Sequence, residues 1–170
     1  DIKSIIDLGC GDWQFSQFLD FGGATYIGVD ASKNVIADNQ RSFSRPGVSF
    51  ANLPDSYSEL PSADLLVCKD VLMHLDTKKV QDVLSILPSF KYALITNDIP
   101  CLSAFGRVLQ KMLKPFSPVI NKEIKTGDYR TLDPTQPPFN LKMKNVFEWK
   151  GNNLILGKNC DWKKRTYLHQ

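Results

Sequence analysis

Strand and helix signals alternate along the first 98 residues of this 170-residue chain. Short β-rich runs are predicted at 3–8, 25–29, 48–50, 63–68 and 92–96. Between them, apolar residues recur at helical spacing in 13–21, after Ser32 and after Thr77, and these last two residues are predicted N-caps. Strands that alternate with helices indicate βαβ units, a parallel sheet and helices on both of its faces. The sequence therefore predicts a three-layer α/β fold with a mostly parallel sheet.

The pattern changes after Pro100, where six of the ten prolines lie between Pro100 and Pro138. This stretch carries one helical signal, with an apolar side and a basic side: Leu102, Phe105, Val108, Leu109 and Met112 against Arg107, Lys111 and Lys114. Two further β-rich runs, 146–149 and 154–156, predict a terminal antiparallel hairpin over 145–157. The basic run Lys163–Arg165 is predicted to be a solvated chain end.

Composition and charge exclude several classes of protein. With 42% hydrophobic and 23% charged residues, the chain is neither disordered nor fibrous. No apolar run reaches the roughly 18 residues of a membrane span, which predicts no membrane partner. The four cysteines are scattered rather than paired, which predicts reduced thiols, no metal site and a cytoplasmic location. They are Cys10, Cys68, Cys101 and Cys160.

The net charge of +3 is the sum of an acidic first part and a basic second part of the chain. Residues 1–98 carry 8 Lys and Arg against 13 Asp and Glu, a balance of −5. Residues 99–170 carry 13 against 5, a balance of +8. A basic half is consistent with an anionic partner, and it is equally consistent with an ordinary solvated surface.

A glycine-rich turn joins the first predicted strand to the first predicted helix. It reads Asp7-Leu-Gly9-Cys-Gly11-Asp-Trp13, and Asp30 ends the second strand 21 residues after Gly9. Glycines let the backbone approach a ligand closely, and a carboxylate after the second strand can accept both hydroxyls of a ribose. Strand, glycine turn, helix, strand and terminal acid in this order indicate a nucleotide-like cofactor.

Two kinds of cofactor, a dinucleotide such as NAD and S-adenosylmethionine, are candidates for this turn. A dinucleotide fingerprint requires a third glycine at position 14, where this chain has Gln14. Asp7 and Asp12 would also repel a pyrophosphate, whereas they would attract a cationic group. S-adenosylmethionine carries a sulfonium, an ammonium and a ribose, so it matches the acids better than NAD does.

The sequence resembles the class I S-adenosylmethionine-dependent methyltransferases in three segments. These are Ile5-Ile-Asp-Leu-Gly-Cys-Gly11, Tyr26-Ile-Gly-Val-Asp30 and Asp70-Val-Leu-Met-His-Leu75. The resemblance covers residues 3–98 and implies a Rossmann-like fold closed by a terminal hairpin. It implies Asp7, Gly9 and Gly11 around the methionyl part, Asp30 on the ribose, and Asn52 and Leu53 near adenine. The full set of expected cofactor residues is Asp7, Gly9, Cys10, Gly11, Trp13, Asp30, Ala31, Asn52, Leu53, Lys69 and Asp70.

Several of these positions have structural alternatives. Trp13 stands where the family often has glycine, so it narrows the methionyl end or simply packs. Asp7 can bond nearby backbone N–H groups instead of a ligand, and Cys10 and Cys68 fit small buried positions. The resemblance also implies N-terminal helices before residue 1. It divides a single domain, 1–170, into a cofactor half at 1–98, a substrate loop region at 99–144 and the hairpin.

Candidate catalytic residues follow the fourth and fifth strands, at the carboxyl edge of the predicted sheet. His74 is one of two histidines, and an imidazole exchanges a proton readily near neutral pH. Asp70 and Asp98 follow the same two strands. Each has an alternative, because His74 can pack or cap a helix and Asp70 can cap a turn.

The expected function is methyl transfer from S-adenosylmethionine to oxygen or nitrogen of a small molecule, which the basic half suggests is anionic. Amino-methylating relatives that act on nucleic acid carry Asn/Asp-Pro-Pro-aromatic after the fourth strand, where this chain has Lys69-Asp-Val-Leu72. The similar Gln136-Pro-Pro-Phe139 lies far downstream, so the sequence argues against a nucleic-acid partner. Open alternatives are an RNA or protein methyltransferase, a non-catalytic cofactor-binding subunit and a nicotinamide dehydrogenase. Nothing in the sequence predicts the oligomeric state.

Overall fold

The computed structural model describes residues 1–100, 120–150 and 162–170. Seven strands within these ranges form one sheet in the order β3-β2-β1-β4-β5-β7-β6. They are β1 Ser4–Leu8, β2 Thr25–Asp30, β3 Val48–Asn52, β4 Leu65–Lys69, β5 Tyr92–Pro100, β6 Lys144–Lys150 and β7 Trp162–His169. The first five strands are parallel, and β7 and β6 are antiparallel to their neighbours. The predicted α/β architecture with a terminal antiparallel pair is confirmed.

Two α-helices cover opposite faces of this sheet. Helix α1 spans Lys33–Phe43 and buries Ile36 against an aromatic cluster over β2 and β3. Helix α2 spans Thr77–Ser85 and buries Val80, Val83 and Leu84 in the larger core on the other face.

The N-caps of both helices lie close to the predicted positions. Ser32 caps α1, because its side chain accepts a hydrogen bond from the Val35 N–H. The cap of α2 is Asp76 rather than Thr77, since the Asp76 carboxylate accepts from the Lys79 N–H at 2.9 Å. Both caps satisfy an N–H group that has no partner within its own helix.

The prediction of a helix over 13–21 is wrong. Only one 3-10 turn forms, at Ser16–Phe18. Its predicted inner face is exposed, with Phe15 at 76% and Phe18 at 82% relative exposure. Trp13 takes a left-handed φ of 56° and turns into the core, which interrupts a helical course of the backbone at the start of the segment. Isolated helices of this length are marginal in water, so the amphipathic pattern alone does not hold one.

The terminal hairpin pairs different residues from those predicted. β6 begins at Lys144, and its partner is β7 at Trp162–His169. The run 154–156 lies outside the described residues. The last strand β7 lies between β5 and β6, so the antiparallel partner of β6 is the end of the chain rather than the predicted run at 154–156.

The basic run Lys163–Arg165 lies in the middle of β7, so the prediction of a solvated chain end is wrong. Lys163 and Arg165 pair with Glu148 of β6. Lys164 points to the other face of the sheet and pairs with Asp70 and Asp98. Opposite charges on neighbouring strands thus allow three consecutive cations inside one strand.

The Pro-rich region from 120 to 143 packs part of its length against the core of the sheet. Leu132 is fully buried in the larger core, and Arg130 and Asp133 are buried beside it. The Arg130 guanidinium donates to the carbonyls of Leu75 and Lys122, each at 2.7 Å. This segment therefore covers the α2 face of the sheet. The helix predicted within 102–112, with its basic side, lies outside the described residues.

Candidate functional site

The glycine turn after β1 needs glycine at two positions for different reasons. Gly9 has φ +80°, and a Cβ there would collide with the Val71 side chain. Gly11 has φ +58°, and a Cβ there would meet nothing within 4 Å. The backbone at Gly11 therefore faces open space, which fits the close approach of a ligand.

Asp30 lies beside this open space at the end of β2. Its carboxylate accepts hydrogen bonds from the Gly11 N–H at 3.1 Å and from the Ser32 N–H at 2.9 Å. Asn52 is its partner in the β2–β3 register, and the Leu53 N–H donates to the Asp30 carbonyl. Each carboxylate oxygen keeps a further lone pair for a hydroxyl group. The arrangement fits a ribose, with Ala31, Asn52 and Leu53 at its margin.

Asp7 is a buried carboxylate on the face of β1 that α2 does not cover. The Tyr26 hydroxyl donates to it at 2.5 Å. Burial raises the pKa of Asp7, while the Tyr26 hydrogen bond and the charge of Lys69 act in the opposite direction. Asp7 and Lys69 both line a groove of about 460 Å³ that runs along β1 and β4 to the glycine turn. Asp7 therefore bonds to a side chain of the neighbouring strand.

Trp13 and Cys10 are packing residues in this structure. Trp13 is 1% exposed, and its ring contacts Phe21, Tyr26, Phe43 and Phe50 at centroid distances from 5.2 to 6.3 Å. Burial raises the pKa of the Cys10 thiol to about 12, with further contributions from the charges of Asp7 and Asp30. Cys68 is likewise fully buried.

A second group of charged residues lies at the carboxyl ends of β4 and β5, and we call it the charged cluster. Lys164 of β7 donates to Asp70 at 2.6 Å and to Asp98 at 2.9 Å. Lys69 donates to the second oxygen of Asp70 at 2.7 Å. The Tyr129 hydroxyl donates to the second oxygen of Asp98 at 3.1 Å. The cluster thus joins four separate segments of the chain.

The pKa values in the charged cluster follow from these contacts. Burial disfavours the ionised form of Asp70, but hydrogen bonds from Lys164 and Lys69 outweigh it and lower the pKa of Asp70. Burial likewise disfavours the Lys164 cation, and the two carboxylates outweigh it and raise the pKa of Lys164. Burial and the nearby charge of Asp98 raise the pKa of Tyr129, which keeps it a hydrogen-bond donor.

His74 lies next to this cluster, in a 3-10 turn at Leu72–His74 that follows β4. Its Nδ1 lies 3.0 Å from the Asp128 carbonyl oxygen, and its ring centroid lies 5.9 Å from that of Tyr129. A carbonyl oxygen only accepts, so we assign the proton to Nδ1. The neutral ring then carries a lone pair on Nε2, the atom that would accept a proton.

The structure brings together most of the residues expected from sequence. Gly9, Gly11 and Asp30 meet at one part of the carboxyl edge, and Asp70 and Asp98 meet at another. Sequence reasoning missed Lys164, which it assigned to a solvated chain end. Alternation within β7 is a weak signal for Lys164, because Lys163 and Arg165 mask it. Within the described residues, no group of three acidic, histidine or cysteine side chains is placed to hold a metal ion.

Comparison with known proteins identifies the family. Residues 6–87 match the family model described as a methyltransferase domain. This match and the sheet topology confirm the resemblance stated from the three sequence segments. This part of the chain belongs to the S-adenosylmethionine-dependent methyltransferases, whose cofactor is S-adenosylmethionine, and solved structures with the same fold hold SAH or SAM. No curated protein matches the chain significantly.

Solved methyltransferases share the fold at low sequence identity. Magnesium protoporphyrin IX methyltransferase from Synechocystis, with bound SAH, is 17% identical with a TM-score of 0.60, over 96% of this chain and 72% of that one. Human N-acetylserotonin methyltransferase with SAM is 15% identical with a TM-score of 0.62, over 98% and 47%. A TehB-like SAM-dependent methyltransferase from Corynebacterium glutamicum is 16% identical with a TM-score of 0.51, over 97% and 79%. The chain spans about half the length of the human protein.

These proteins are named for different substrates, so the shared fold leaves the methyl acceptor of this chain open. In the parts of the chain that the structure describes, no helix combines the length and the hydropathy of a membrane span.

Proposed function

We propose that this chain transfers a methyl group from S-adenosylmethionine to an oxygen or nitrogen atom of a small molecule. One observation carries the proposal. The ribose-type carboxylate Asp30 and the open backbone at Gly11 share the carboxyl edge of the sheet with His74 and the charged cluster. When bound, S-adenosylmethionine supplies an electrophilic methyl group on a sulfonium. The protein then has to align the acceptor and, where needed, take up its proton.

Asp30 and the glycine turn would hold the cofactor. Asp30 would accept the ribose hydroxyls, and Asn52 and Leu53 would border the adenine. The acids Asp7 and Asp30 would favour the cationic methionyl part. Trp13 would support the glycine turn from its core side, because its ring is buried in the aromatic cluster.

His74 is the residue best suited to accept a proton from the acceptor. Its Nδ1–H is held by the Asp128 carbonyl, which leaves Nε2 as the basic atom. Asp70 and Asp98 are already paired with Lys164, so we assign them a positioning role rather than that of a base. Tyr129 would orient the acceptor beside them through its half-exposed ring.

An anionic acceptor is the expected substrate class within this proposal. Two carboxylates and two ammonium groups make the charged cluster locally neutral. The Lys69 side chain is 60% exposed and offers the cluster's most accessible positive charge. We also propose that residues 1–170 form one domain in a cytoplasmic protein, which the free buried thiols of Cys10 and Cys68 support.

The test is transfer of labelled methyl from S-adenosylmethionine across a panel of anionic hydroxyl and amino compounds. We expect His74→Gln to slow transfer by about 100-fold, the usual contribution of a general base. Cofactor affinity should stay unchanged, because His74 lies outside the proposed cofactor contacts. His169→Gln, at the other histidine, is the matched control and should keep the wild-type rate. Full activity of His74→Gln would remove His74 from the mechanism.

Two other outcomes correspond to the alternatives. If methyl is transferred to protein or RNA and to none of the small molecules, the acceptor is a macromolecule rather than a small molecule. Saturable cofactor binding without turnover on any acceptor would indicate a non-catalytic, cofactor-binding subunit.

A further inference from the structure

Tyr26 is a buried tyrosine whose hydroxyl contacts a buried carboxylate. It is 2% exposed, and its hydroxyl donates to Oδ2 of Asp7 at 2.5 Å. In the β1–β2 register, Tyr26 pairs with Ile5 and Gly28 pairs with Asp7. Tyr26 therefore lies two residues before the position opposite Asp7, about 7 Å along the strand, a distance that a tyrosine side chain spans. The contact between the two side chains thus follows from the register of the sheet.

Three aromatic rings hold the Tyr26 ring in place. Phe21 stacks on it at a centroid distance of 4.7 Å, Trp13 lies at 5.5 Å and Phe50 at 6.2 Å. Gly28 allows this packing, because a Cβ there would lie only 2.8 Å from the Phe50 ring. Burial raises the pKa of Tyr26, so its hydroxyl remains a hydrogen-bond donor. The donor is therefore fixed in position by the aromatic cluster, without any ligand.

The Asp7 carboxylate keeps one oxygen for a ligand. Among the described residues, Tyr26 is the one hydrogen-bond donor to this carboxylate, so Oδ1 retains its lone pairs. Asp7 lines the groove that leads to the glycine turn, together with Gly9 and Gly11. A buried acid with a raised pKa that lines a groove is typical of functional sites. Its remaining oxygen is therefore a candidate acceptor for a cationic group.

The titratable groups around Asp7 come from β2, β4 and the glycine turn. Burial raises the pKa of Asp7 most, and the hydrogen bond from Tyr26 is the largest effect that lowers it. The charge of Lys69 also lowers this pKa, and the charge of Asp30 raises it. Burial raises the pKa of the Cys10 thiol to about 12, so Cys10 is neutral. The full set around this part of the groove is Tyr26, Asp30, Lys69, Cys10 and Asp12.

We propose that Tyr26 is a positioning residue that holds Asp7 for the ammonium group of S-adenosylmethionine. Its hydroxyl occupies Oδ2, and Oδ1 then accepts a hydrogen bond from the ammonium. A carboxylate that accepts hydrogen bonds stays ionised to lower pH, so Tyr26 also widens the pH range in which the cofactor binds. This inference rests on the proposed function, in which Asp7 favours the cationic methionyl part, and it adds a residue that acts through Asp7.

The experiment is isothermal titration of S-adenosylmethionine between about pH 4.5 and about pH 7, a range in which the ammonium of the cofactor stays charged. For the wild type, we expect the affinity to rise with pH as Asp7 ionises. In Tyr26→Phe, which keeps the ring, the midpoint of this rise should lie about one to two pH units higher, because a hydrogen bond to a charged group is lost. Below the wild-type midpoint, the variant should bind at least about tenfold more weakly.

Two further variants complete the comparison. Asp7→Asn should bind weakly and show no rise over this pH range, because the group that titrates is gone. Tyr92→Phe is the matched control, since pairing through Ile5 and Leu65 places Tyr92 in the same row of the sheet as Tyr26, three strands away. Its affinity should follow the wild-type profile. Thermal melting at each pH shows that every variant stays folded.

Three results would overturn this inference and leave the proposed function intact. One is a loss of affinity in Tyr26→Phe that is equal at every pH, which would show that Tyr26 only packs. Another is a wild-type profile in Tyr26→Phe. The third is a rise of affinity with pH that persists in Asp7→Asn, which would assign the titration to another acid. Absence of saturable binding by the wild type would refute the proposed function, and the inference with it.

Discussion

The two regions at the carboxyl edge of the sheet are held together by different forces. The glycine-turn region rests on burial, with Trp13 among four aromatic rings and Asp7 hydrogen-bonded to Tyr26. The charged cluster rests on ion pairs that join Lys164 to Asp70 and Asp98. Burial contributes in proportion to area and is nearly independent of pH, whereas ion pairs depend on the protonation of both partners. The stability of the two regions should therefore respond differently to a change of pH or to the loss of a side chain.

The regions also differ in how far apart their residues lie in the sequence. Tyr26 and Asp7 are 19 residues apart, whereas Lys164 and Asp70 are 94 apart. The first region can form within the segment from β1 to β3, because its rings and Asp7 all lie there. The second requires that the last strand has already paired with β5.

Removing the Trp13 ring should give the largest effect. We expect Trp13→Ala to lower the free energy of unfolding by about 4 kcal/mol, because a buried indole leaves a large cavity. The measurement is urea unfolding followed by circular dichroism. Trp149→Ala, at a half-exposed tryptophan, is the matched control and should cost less than about 1 kcal/mol. Equal losses in the two variants would contradict the burial of Trp13.

Lys164→Met should give the second-largest effect. It leaves Asp70 and Asp98 facing each other without their shared cation, and we expect a loss of about 2 kcal/mol, below the value for fully buried pairs. The loss should be greatest near neutral pH and should shrink in acid as the carboxylates become protonated. Lys163→Met is the control, because Glu148 keeps Arg165 as a partner. A loss independent of pH would show that methylene packing, rather than charge, holds β7.

Replacing Asp7 or Asp70 by Asn should change the free energy of unfolding in opposite directions in the two regions. Burial raises the pKa of Asp7, so its contribution to stability is lost as pH rises through that pKa. Asp7→Asn avoids this loss, so its stability relative to the wild type should rise by about 1 kcal/mol as pH increases through that pKa. The pKa of Asp70 is lowered, so its contribution is present at neutral pH and lost in acid. Asp70→Asn should therefore destabilise at neutral pH, and a common sign for both variants would refute the contrast.

Phe18→Ser should have the smallest effect. The ring is 82% exposed, so we expect a change in the free energy of unfolding below about 0.5 kcal/mol. Thermal melting of the variant beside the wild type is sufficient. A loss above about 2 kcal/mol, typical of buried apolar groups, would mean that the segment after Trp13 packs as the sequence predicted.

Much of the first half was predictable because its signals are local. Each of β1 to β5 is a short apolar run next to a turn or a cap, and Gly9, Gly11 and Asp30 are recognisable by their order along the chain. The charged cluster was not predictable in this way. Lys164 stands between two other cations, and only the pairing of β7 with β5 places it opposite Asp98. The helix prediction for 13–21 failed for a different reason, since an amphipathic pattern this short does not hold a helix by itself and Trp13 takes a left-handed φ.

The central claim is that Asp30 and the glycine turn hold S-adenosylmethionine. Isothermal titration of the cofactor into the wild type and into Asp30→Ala tests it most directly. Asp38→Ala, at an exposed acid of α1 that pairs with Arg41, is the control. We predict saturable one-to-one binding that Asp30→Ala weakens by about 10- to 100-fold, the cost of losing hydrogen bonds to a charged group, and that Asp38→Ala leaves unchanged. Equal affinity of Asp30→Ala and the wild type would contradict the account.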